Sequence, residues 1–340
     1  MKNSFVMNAL ITILAILLIS NLIVYFFKKW IYPEILLILV GILLSTSFFK
    51  DVILGNNLQV LFHLGNFGLL FIMFIAGLES SWSYLYKEKH EAALIAIFSF
   101  LTPFLLGFMV FYSITNSFTI AFVVGICMSI TAEAAKAKAL LDVKKLKTRI
   151  GSAIMGAGIL DDVFGLLLFT SLIFFTRVDL STFLRHNALF LGAILSYVFG
   201  LIVHKHIGRS HKHVGMFEKF ISITLVPFFF ISLGLIFDFS SLVLNPMLLG
   251  TVLLLAMAGK FMGVFFSGGF LNLGFKKLFL IGWAMNSRGA IEMVIAYIAY
   301  ESNLIPIELF SSLLIMALIT TLIFPFVIKR MVKTNKGIMN

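Results

Sequence analysis

Long apolar runs dominate this sequence and restrict what it can fold into. The chain has 340 residues, of which 61% are hydrophobic and 12% are charged. Soluble domains are about 45–50% apolar and about 25% charged, so the composition indicates an integral membrane protein. The runs are continuous over about 20 residues, the length at which a helix crosses a hydrocarbon core of about 30 Å. We therefore predict an all-α polytopic membrane protein, since the runs lack the alternating pattern of membrane strands.

Eleven runs are long enough to be transmembrane spans, and the distribution of basic residues tests this count. The runs cover approximately residues 5–27, 32–48, 57–78, 91–113, 118–140, 148–175, 184–203, 217–237, 246–270, 278–300 and 305–328. With the N-terminus outside, 20 of the 26 lysines and arginines, Lys136 among them, fall in inside loops or the C-terminal tail. Only Lys2, Lys50, Arg177 and Arg185 fall outside. By the positive-inside rule this asymmetry predicts eleven spans in the inner (cell) membrane, with the C-terminus in the cytoplasm.

The net charge of +11 does not indicate nucleic-acid binding. The basic residues lie between apolar runs, where they set membrane orientation and contact anionic headgroups. We therefore predict the lipid bilayer as a partner, and no nucleic acid. The single cysteine excludes an internal disulfide, and neither a cofactor nor a resident metal site is predicted.

Two adjacent carboxylates, Asp161 and Asp162, lie midway along the sixth run, within Gly156-Ala-Gly-Ile-Leu-Asp-Asp-Val-Phe-Gly165. One ionisable side chain at that depth costs about 2.5–3.5 kcal/mol on insertion scales. Such residues normally face a bundle interior or a water-filled cavity and mark a path for ions or protons. Neighbouring helical positions point about 100° apart, so one aspartate can meet an ion while the other meets a fixed charge. A structural hydrogen-bonded pair is the less favoured alternative.

Two basic residues, Lys260 and Arg288, also lie inside apolar runs. Paired with Asp161, Lys260 would be a charge that an incoming cation displaces, although a purely structural salt bridge remains open. Arg288 stays charged at physiological pH and so cannot shuttle a proton. We expect it to neutralise Glu133 or the C-terminal ends of interrupted helices. Glu292, one turn further on, is a second candidate partner.

Polar sequence interrupts two of the runs. Ser129-Ile-Thr-Ala-Glu-Ala134 lies in the fifth run, and Asn286-Ser-Arg-Gly-Ala-Ile-Glu292 lies in the tenth. Hydroxyls and freed backbone carbonyls at a helix break suit the coordination of a small hard cation. Ser129, Thr131 and Glu133 are therefore candidate cation ligands beside the two aspartates. For the two hydroxyls, a kink with locally satisfied hydrogen bonds remains an alternative.

A weak internal repeat relates the two halves of the chain. Phe71–Leu78 resembles Phe228–Leu235, and each is followed at the same distance by an interrupted run. In the predicted topology the two copies run in opposite directions, an arrangement that places a binding site near the membrane midplane. We assign four segments: 1–178 as the first inverted repeat, 183–214 as a linking helix and basic loop, 215–331 as a shortened second repeat, and 332–340 as a cytoplasmic tail.

Together these motifs resemble the cation:proton antiporter superfamily, in its two-aspartate branch of bacterial sodium/proton antiporters and Kef-type membrane domains. The resemblance rests on Gly-Ile-Leu-Asp161-Asp162, on Lys260 downstream, and on the segments Pro227–Asp238 and Ser287–Gly289. It implies two crossed discontinuous helices in a core domain that moves against a scaffold. By this likeness Asp162 is the main cation ligand, Asp161 pairs with Lys260, and protons and cation compete for the same carboxylates.

The chain departs from the family pattern in two ways. The family's Pro-Arg-Gly-Glu is here Ser287-Arg-Gly-Ala290, with the acid displaced to Glu292. Members of the family typically have thirteen spans, so eleven implies the loss of two scaffold helices between the seventh span and Gly215. The scaffold usually dimerises, and its shortening leaves a homodimer an open question.

We therefore predict a secondary active transporter, not an enzyme, that exchanges sodium for protons. Two alternatives remain: potassium/proton exchange by the same machinery, and a non-transporting membrane sensor or partner on a degenerate antiporter fold. An intramembrane aspartyl protease is disfavoured, because its catalytic aspartates stand on separate helices, one of them in Gly-x-Gly-Asp. Here the aspartates are adjacent and Leu160 precedes the first.

Overall fold

The computed structural model describes residues 2–46, 49, 57–175, 188–208, 211–335 and 337–339, and these contain helices but no strand. The helices are α1 (Lys2–Phe27), α2 (Pro33–Ser45), α3 (Leu58–Glu79), α4 (Trp82–Lys87), α5 (Lys89–Thr115), α6 (Phe118–Cys127), α7 (Glu133–Asp142), α8 (Arg149–Phe175), α9 (Ala188–His206), α10 (Lys212–Thr224), α11 (Val226–Ile236), α12 (Phe239–Leu244), α13 (Pro246–Leu271), α14 (Phe275–Met285), α15 (Ala290–Glu301) and α16 (Ile307–Thr334). The predicted boundaries at 178 and 183 lie outside the described residues, as do Lys50, Arg177 and Arg185.

The helices follow the eleven predicted runs. Eight helical stretches in the described part of the chain are long and apolar enough to cross a membrane by themselves. The other three runs correspond to the shorter α2 and to two pairs of half-helices, α6 with α7 and α14 with α15. Only helices satisfy every backbone polar group within one segment in lipid, and the chain is accordingly a multi-pass membrane protein.

The two predicted interruptions are confirmed as helix breaks. In the fifth run α6 ends at Cys127 and α7 begins at Glu133, and in the tenth α14 ends at Met285 and α15 begins at Ala290. Ser129, Thr131 and Arg288 lie in these breaks, and Glu133 and Glu292 lie in the first turns after them. Asp161 and Asp162 lie inside the unbroken α8, and Lys260 lies inside α13.

A further discontinuity, within the single predicted run 217–237, lies at Leu225 between α10 and α11. Pro227 stands in the first turn of α11. A proline has no backbone N–H to donate and its ring crowds the preceding turn, so the helix restarts there rather than continuing.

The described helices form two compact units. The first comprises residues Met1–Leu78 and Leu189–Phe237. Within it α2 and α11 cross at Gly41 and Gly234, and α3 and α9 cross at Gly77 and Gly200. The helices are so close at both crossings that a Cβ atom added to any of these glycines would overlap the backbone of the facing helix. Small residues permit such close approach of membrane helices. Gly77 and Gly234, the repeated glycines of the sequence, thus have the same packing role.

The second unit comprises Glu79–Ala188 and Asp238–Asn340. In this unit a long helix, a broken helix and a second long helix follow one another, and this order occurs twice. The first set is α5, α6/α7 and α8, and the second set is α13, α14/α15 and α16. Helices α5 and α13 pack tightly, with Gly259 against Pro103 and Gly263 against the backbone of Phe98. Every candidate site residue lies in this unit.

Candidate ion-binding site

The two broken helices of the second unit meet at their breaks. The N–H of Ala132 donates to the carbonyl of Ser287 at 3.1 Å, and Ser287 Oγ donates to the carbonyl of Ala132 at 3.4 Å. A Cβ on Gly289 would collide with Ala132, so the glycine allows this approach. The crossing brings the freed backbone groups of both helices to one buried place.

Arg288 caps the end of α6. Its Nη1 donates to the carbonyls of Cys127 at 3.2 Å and Ile130 at 2.7 Å. Its own backbone is held by Thr321, whose Oγ1 accepts from the Arg288 N–H at 3.1 Å and donates to the Arg288 carbonyl at 2.9 Å. A cation is favoured at a helix C-terminus, where the unpaired carbonyls carry partial negative charge. The guanidinium therefore replaces hydrogen bonds that α6 loses where it ends.

The acids near Arg288 are not hydrogen-bonded to it. Glu292 Oε2 lies 3.9 Å from Arg288 Nε, at ion-pair distance but beyond hydrogen-bond reach. Both carboxylate oxygens of Glu292 and both of Glu133 have no hydrogen-bond partner among the described residues. Of the partners considered from the sequence, the helix end is the one that Arg288 contacts by hydrogen bonds.

Lys260 connects α13 to α8 and to the first break. Its Nζ lies 3.0 Å from Asp161 Oδ2, and both side chains are 0% exposed. Nζ also donates to the carbonyl of Ser129. The Ser129 hydroxyl itself donates to the carbonyl of Gly125 at 2.8 Å, so the carbonyl of Ser129, rather than its side chain, faces the buried charges.

Thr131 lies between Asp161 and a second buried lysine. Its Oγ1 donates to Asp161 Oδ2 at 3.2 Å and accepts from Lys136 Nζ at 2.8 Å. The assignment of Lys136 to an inside loop is therefore wrong, because α7 restarts at Glu133 and carries Lys136 inward one turn later. The sequence does contain a sign of this position. Glu133 and Lys136 are three residues apart, so they share one face of a helix, and both lie within the predicted run 118–140.

Asp162 and Glu133 are buried with unpaired oxygens. Asp162 is 3% exposed, and its Oδ1, like Asp161 Oδ1, has no hydrogen-bond partner among the residues described. Buried acceptors without partners are destabilising, and carboxylate oxygens are preferred ligands of hard cations. The arrangement thus fits either a bound cation or a proton on these carboxylates.

The sequence matches the family described as sodium/hydrogen exchanger, transmembrane, over residues 11–213 and 187–334. The Na(+)/H(+) antiporter NhaS4 of Synechocystis sp. is 28% identical over 403 aligned residues, covering 95% of this chain and 98% of the relative. A Na(+)/H(+) antiporter of Enterococcus hirae is 26% identical over 353 residues, covering 87% and 90%. Among solved structures, the sodium proton antiporter MjNhaP1 from Methanocaldococcus jannaschii superposes with a TM-score of 0.66 at 16% identity, covering 96% of this chain and 97% of that one.

Proposed function

This chain belongs to the sodium/hydrogen exchanger family, and we propose that it exchanges sodium for protons at the site formed by Asp161, Asp162 and Lys260. The family consists of membrane transporters rather than enzymes, and the chain is a membrane antiporter. One observation carries the assignment of the site: the fully buried ion pair of Asp161 with Lys260 lies beside an unpaired oxygen of Asp162, next to two crossed helix breaks.

Exchange follows from competition for the same carboxylates. In one orientation Asp162 carries a proton and Lys260 neutralises Asp161. An arriving cation displaces the proton, weakens the Asp161–Lys260 pair and allows the loaded core to reorient by alternating access. Because proton and cation cannot occupy the site together, the movement of one is coupled to the movement of the other.

The first break supplies the remaining ligands of the cation. The carbonyl of Ser129 and the hydroxyl of Thr131 lie at the Asp161–Lys260 pair, and Glu133 offers carboxylate oxygens without hydrogen-bond partners in the described part of the chain. Oxygen ligands of this kind suit sodium. The same oxygen ligands also bind potassium, and the transport assay described below distinguishes the two ions.

The membrane arrangement is part of the proposal. The N-terminus lies outside and the C-terminus in the cytoplasm, as the lysine and arginine distribution favours. Residues 1–178 and 215–331 form the two inverted repeats, joined by 183–214 and followed by the tail 332–340. A homodimer through the scaffold is the assembly that the family likeness suggests, and crosslinking in membranes tests it.

The experiment uses purified protein in liposomes with an imposed pH gradient and a trapped pH-sensitive dye. Sodium, lithium, potassium or choline chloride is added in turn to protein-containing and to empty vesicles. We expect sodium, and not choline, to dissipate the gradient. Dissipation by potassium alone would replace sodium by potassium as the substrate. No response to any cation from folded protein would overturn the transport function and leave a non-transporting membrane protein.

A further inference from the structure

Lys136 lies in the ion site, and the exchange mechanism described above does not use it. Its side chain is 1% exposed, and its Nζ donates to Thr131 Oγ1 at 2.8 Å. The same hydroxyl donates to Asp161 Oδ2 at 3.2 Å. The ammonium group of Lys136 is therefore bound to a hydroxyl that we have proposed as a ligand of the transported cation.

The hydroxyl of Thr131 has little capacity left for a second cation. A hydroxyl has one hydrogen to donate and two lone pairs with which to accept. Asp161 takes the hydrogen, and Lys136 takes one lone pair. A sodium ion on the other lone pair would bring two positive charges to one oxygen atom, and their repulsion is strong in a buried site because the effective dielectric constant is low. Sodium and the ammonium group of Lys136 therefore compete for Thr131.

Glu133 is an alternative partner for the ammonium group. It begins α7 and precedes Lys136 by three residues, so the two side chains share one face of the helix. They also meet over the same residue of α8, since a Cβ on Gly158 would lie 3.3 Å from Glu133 Cγ and would collide with Lys136 Nζ. Both carboxylate oxygens of Glu133 lack a hydrogen-bond partner among the described residues. The ammonium group can thus move from Thr131 to Glu133 by side-chain rotation, with the helix backbone in place.

We propose that Lys136 is a tethered competitor of sodium, which occupies Thr131 when the site holds no sodium and moves to Glu133 when sodium binds. The proposal rests on the function proposed above, and it makes Lys136 a residue that determines the sodium affinity. It also narrows the role of Glu133, which then acts on the bound cation through Lys136 rather than as a direct ligand. Lys260 has a different role, because its ion-pair partner is the carboxylate of Asp161.

The first test measures sodium-dependent proton flux in proteoliposomes with a trapped pH dye, at one fixed pH gradient and a range of sodium concentrations. Lys136→Met removes the competing charge, so the half-maximal sodium concentration should fall about tenfold. Lys136→Gln is a second neutral variant and should show the same fall. Lys138→Met, a change at an exposed lysine of the same helix, should keep the wild-type value.

Sodium titration of the purified protein by calorimetry gives the affinity of any variant that folds but does not transport. An unchanged or weaker sodium affinity in the folded Lys136→Met or Lys136→Gln variant would overturn the proposal. Absence of sodium-dependent proton flux from the wild-type protein would instead refute the proposed function itself.

The second test asks whether Glu133 accepts the displaced ammonium group. Glu133→Gln removes the acceptor, so it should raise the half-maximal sodium concentration of the wild-type protein. In the Lys136→Met background the same substitution should have a much smaller effect, because no ammonium group then needs Glu133, and the two residues are therefore energetically coupled. A direct sodium ligand at Glu133 would give an equal rise in both backgrounds, and that result would overturn the transfer of Lys136 to Glu133.

Discussion

Asp161 Oδ2 and Lys260 Nζ lie 3.0 Å apart, and neither side chain has any surface exposed to solvent. Asp161 Oδ2 also accepts a hydrogen bond from Thr131, whereas Oδ1 of Asp161 and Oδ1 of Asp162, the next residue on α8, have no hydrogen-bond partner among the described residues. In the mechanism that we propose, Lys260 holds Asp161 and the mobile ion binds at Asp162.

Replacing Asp162 should abolish exchange without unfolding the protein. Asn has nearly the same shape as Asp but cannot release a proton or offer a charged ligand, so Asp162→Asn should transport at the level of empty vesicles. The assay is sodium-dependent proton flux in liposomes, with folding checked by size-exclusion chromatography and thermal unfolding. Asp142→Asn is the matched control, because Asp142 is half-exposed and paired with Lys329 at 2.7 Å. Substantial flux through Asp162→Asn would remove this residue from the mechanism.

Removing Lys260 alone should destabilise the fold. Lys260→Met leaves Asp161 as a buried charge without its partner, and breaking a buried pair from one side typically costs about 3–5 kcal/mol. The double variant Asp161→Asn/Lys260→Met removes both charges and should recover much of that loss while remaining inactive. Thermal unfolding in detergent measures both effects. Equal stability of Lys260→Met and wild type would mean that the pair does not hold α8 and α13 together.

Gly158 should be required for the hydrogen bond from Lys136 to Thr131. In Gly158→Ala the new methyl group occupies the position of the ammonium, so Lys136 must withdraw from Thr131, and overpacking of this kind costs about 1–3 kcal/mol. We expect slower exchange and a lower melting temperature. Gly250→Ala is the control, since no atom from a neighbouring element lies within 4 Å of its Cβ position. Wild-type exchange rates in Gly158→Ala would show that the lysine is not constrained there.

Arg288 should not be replaceable by lysine. Its Nη1 donates to two carbonyls at the end of α6, and an ammonium on a flexible stem does not reproduce the planar guanidinium. An unsatisfied buried carbonyl costs about 1–3 kcal/mol, so Arg288→Lys should unfold at a lower temperature and exchange more slowly. Arg330→Lys, at an exposed position of α16, should behave as wild type. Indistinguishable melting of the two variants would argue against capping of the break by Arg288.

The sequence predicts the helices well because each span must be apolar and long, and both properties are local. The two helix breaks of the second unit are also predictable, since polar residues interrupt otherwise apolar runs at Ser129–Ala134 and Asn286–Glu292. The discontinuity at Leu225 is not predicted, because the surrounding run stays apolar and Pro227 alone marks it.

The details of the site depend on contacts between distant segments. The hydroxyl of Ser129 donates a hydrogen bond to the carbonyl of Gly125, one turn earlier in the chain. The group of Ser129 that contacts Lys260 is therefore its backbone carbonyl. Counting basic residues on each side of the membrane assigns Lys136 to an inside loop, because the count takes no account of burial. The helix that restarts at Glu133 turns it inward, and no local pattern shows that Gly158 leaves space for it.

The central claim is that sodium and protons compete for the same buried carboxylates, and sodium-induced proton release tests it most directly. Purified protein in weakly buffered detergent solution is titrated with sodium chloride while the pH is recorded, with choline chloride as the control. We expect saturable proton release by sodium, a higher sodium requirement at lower pH because protons then occupy more sites, and no release from Asp162→Asn. Sodium binding measured by calorimetry without proton release, or release that survives in Asp162→Asn, would contradict the account.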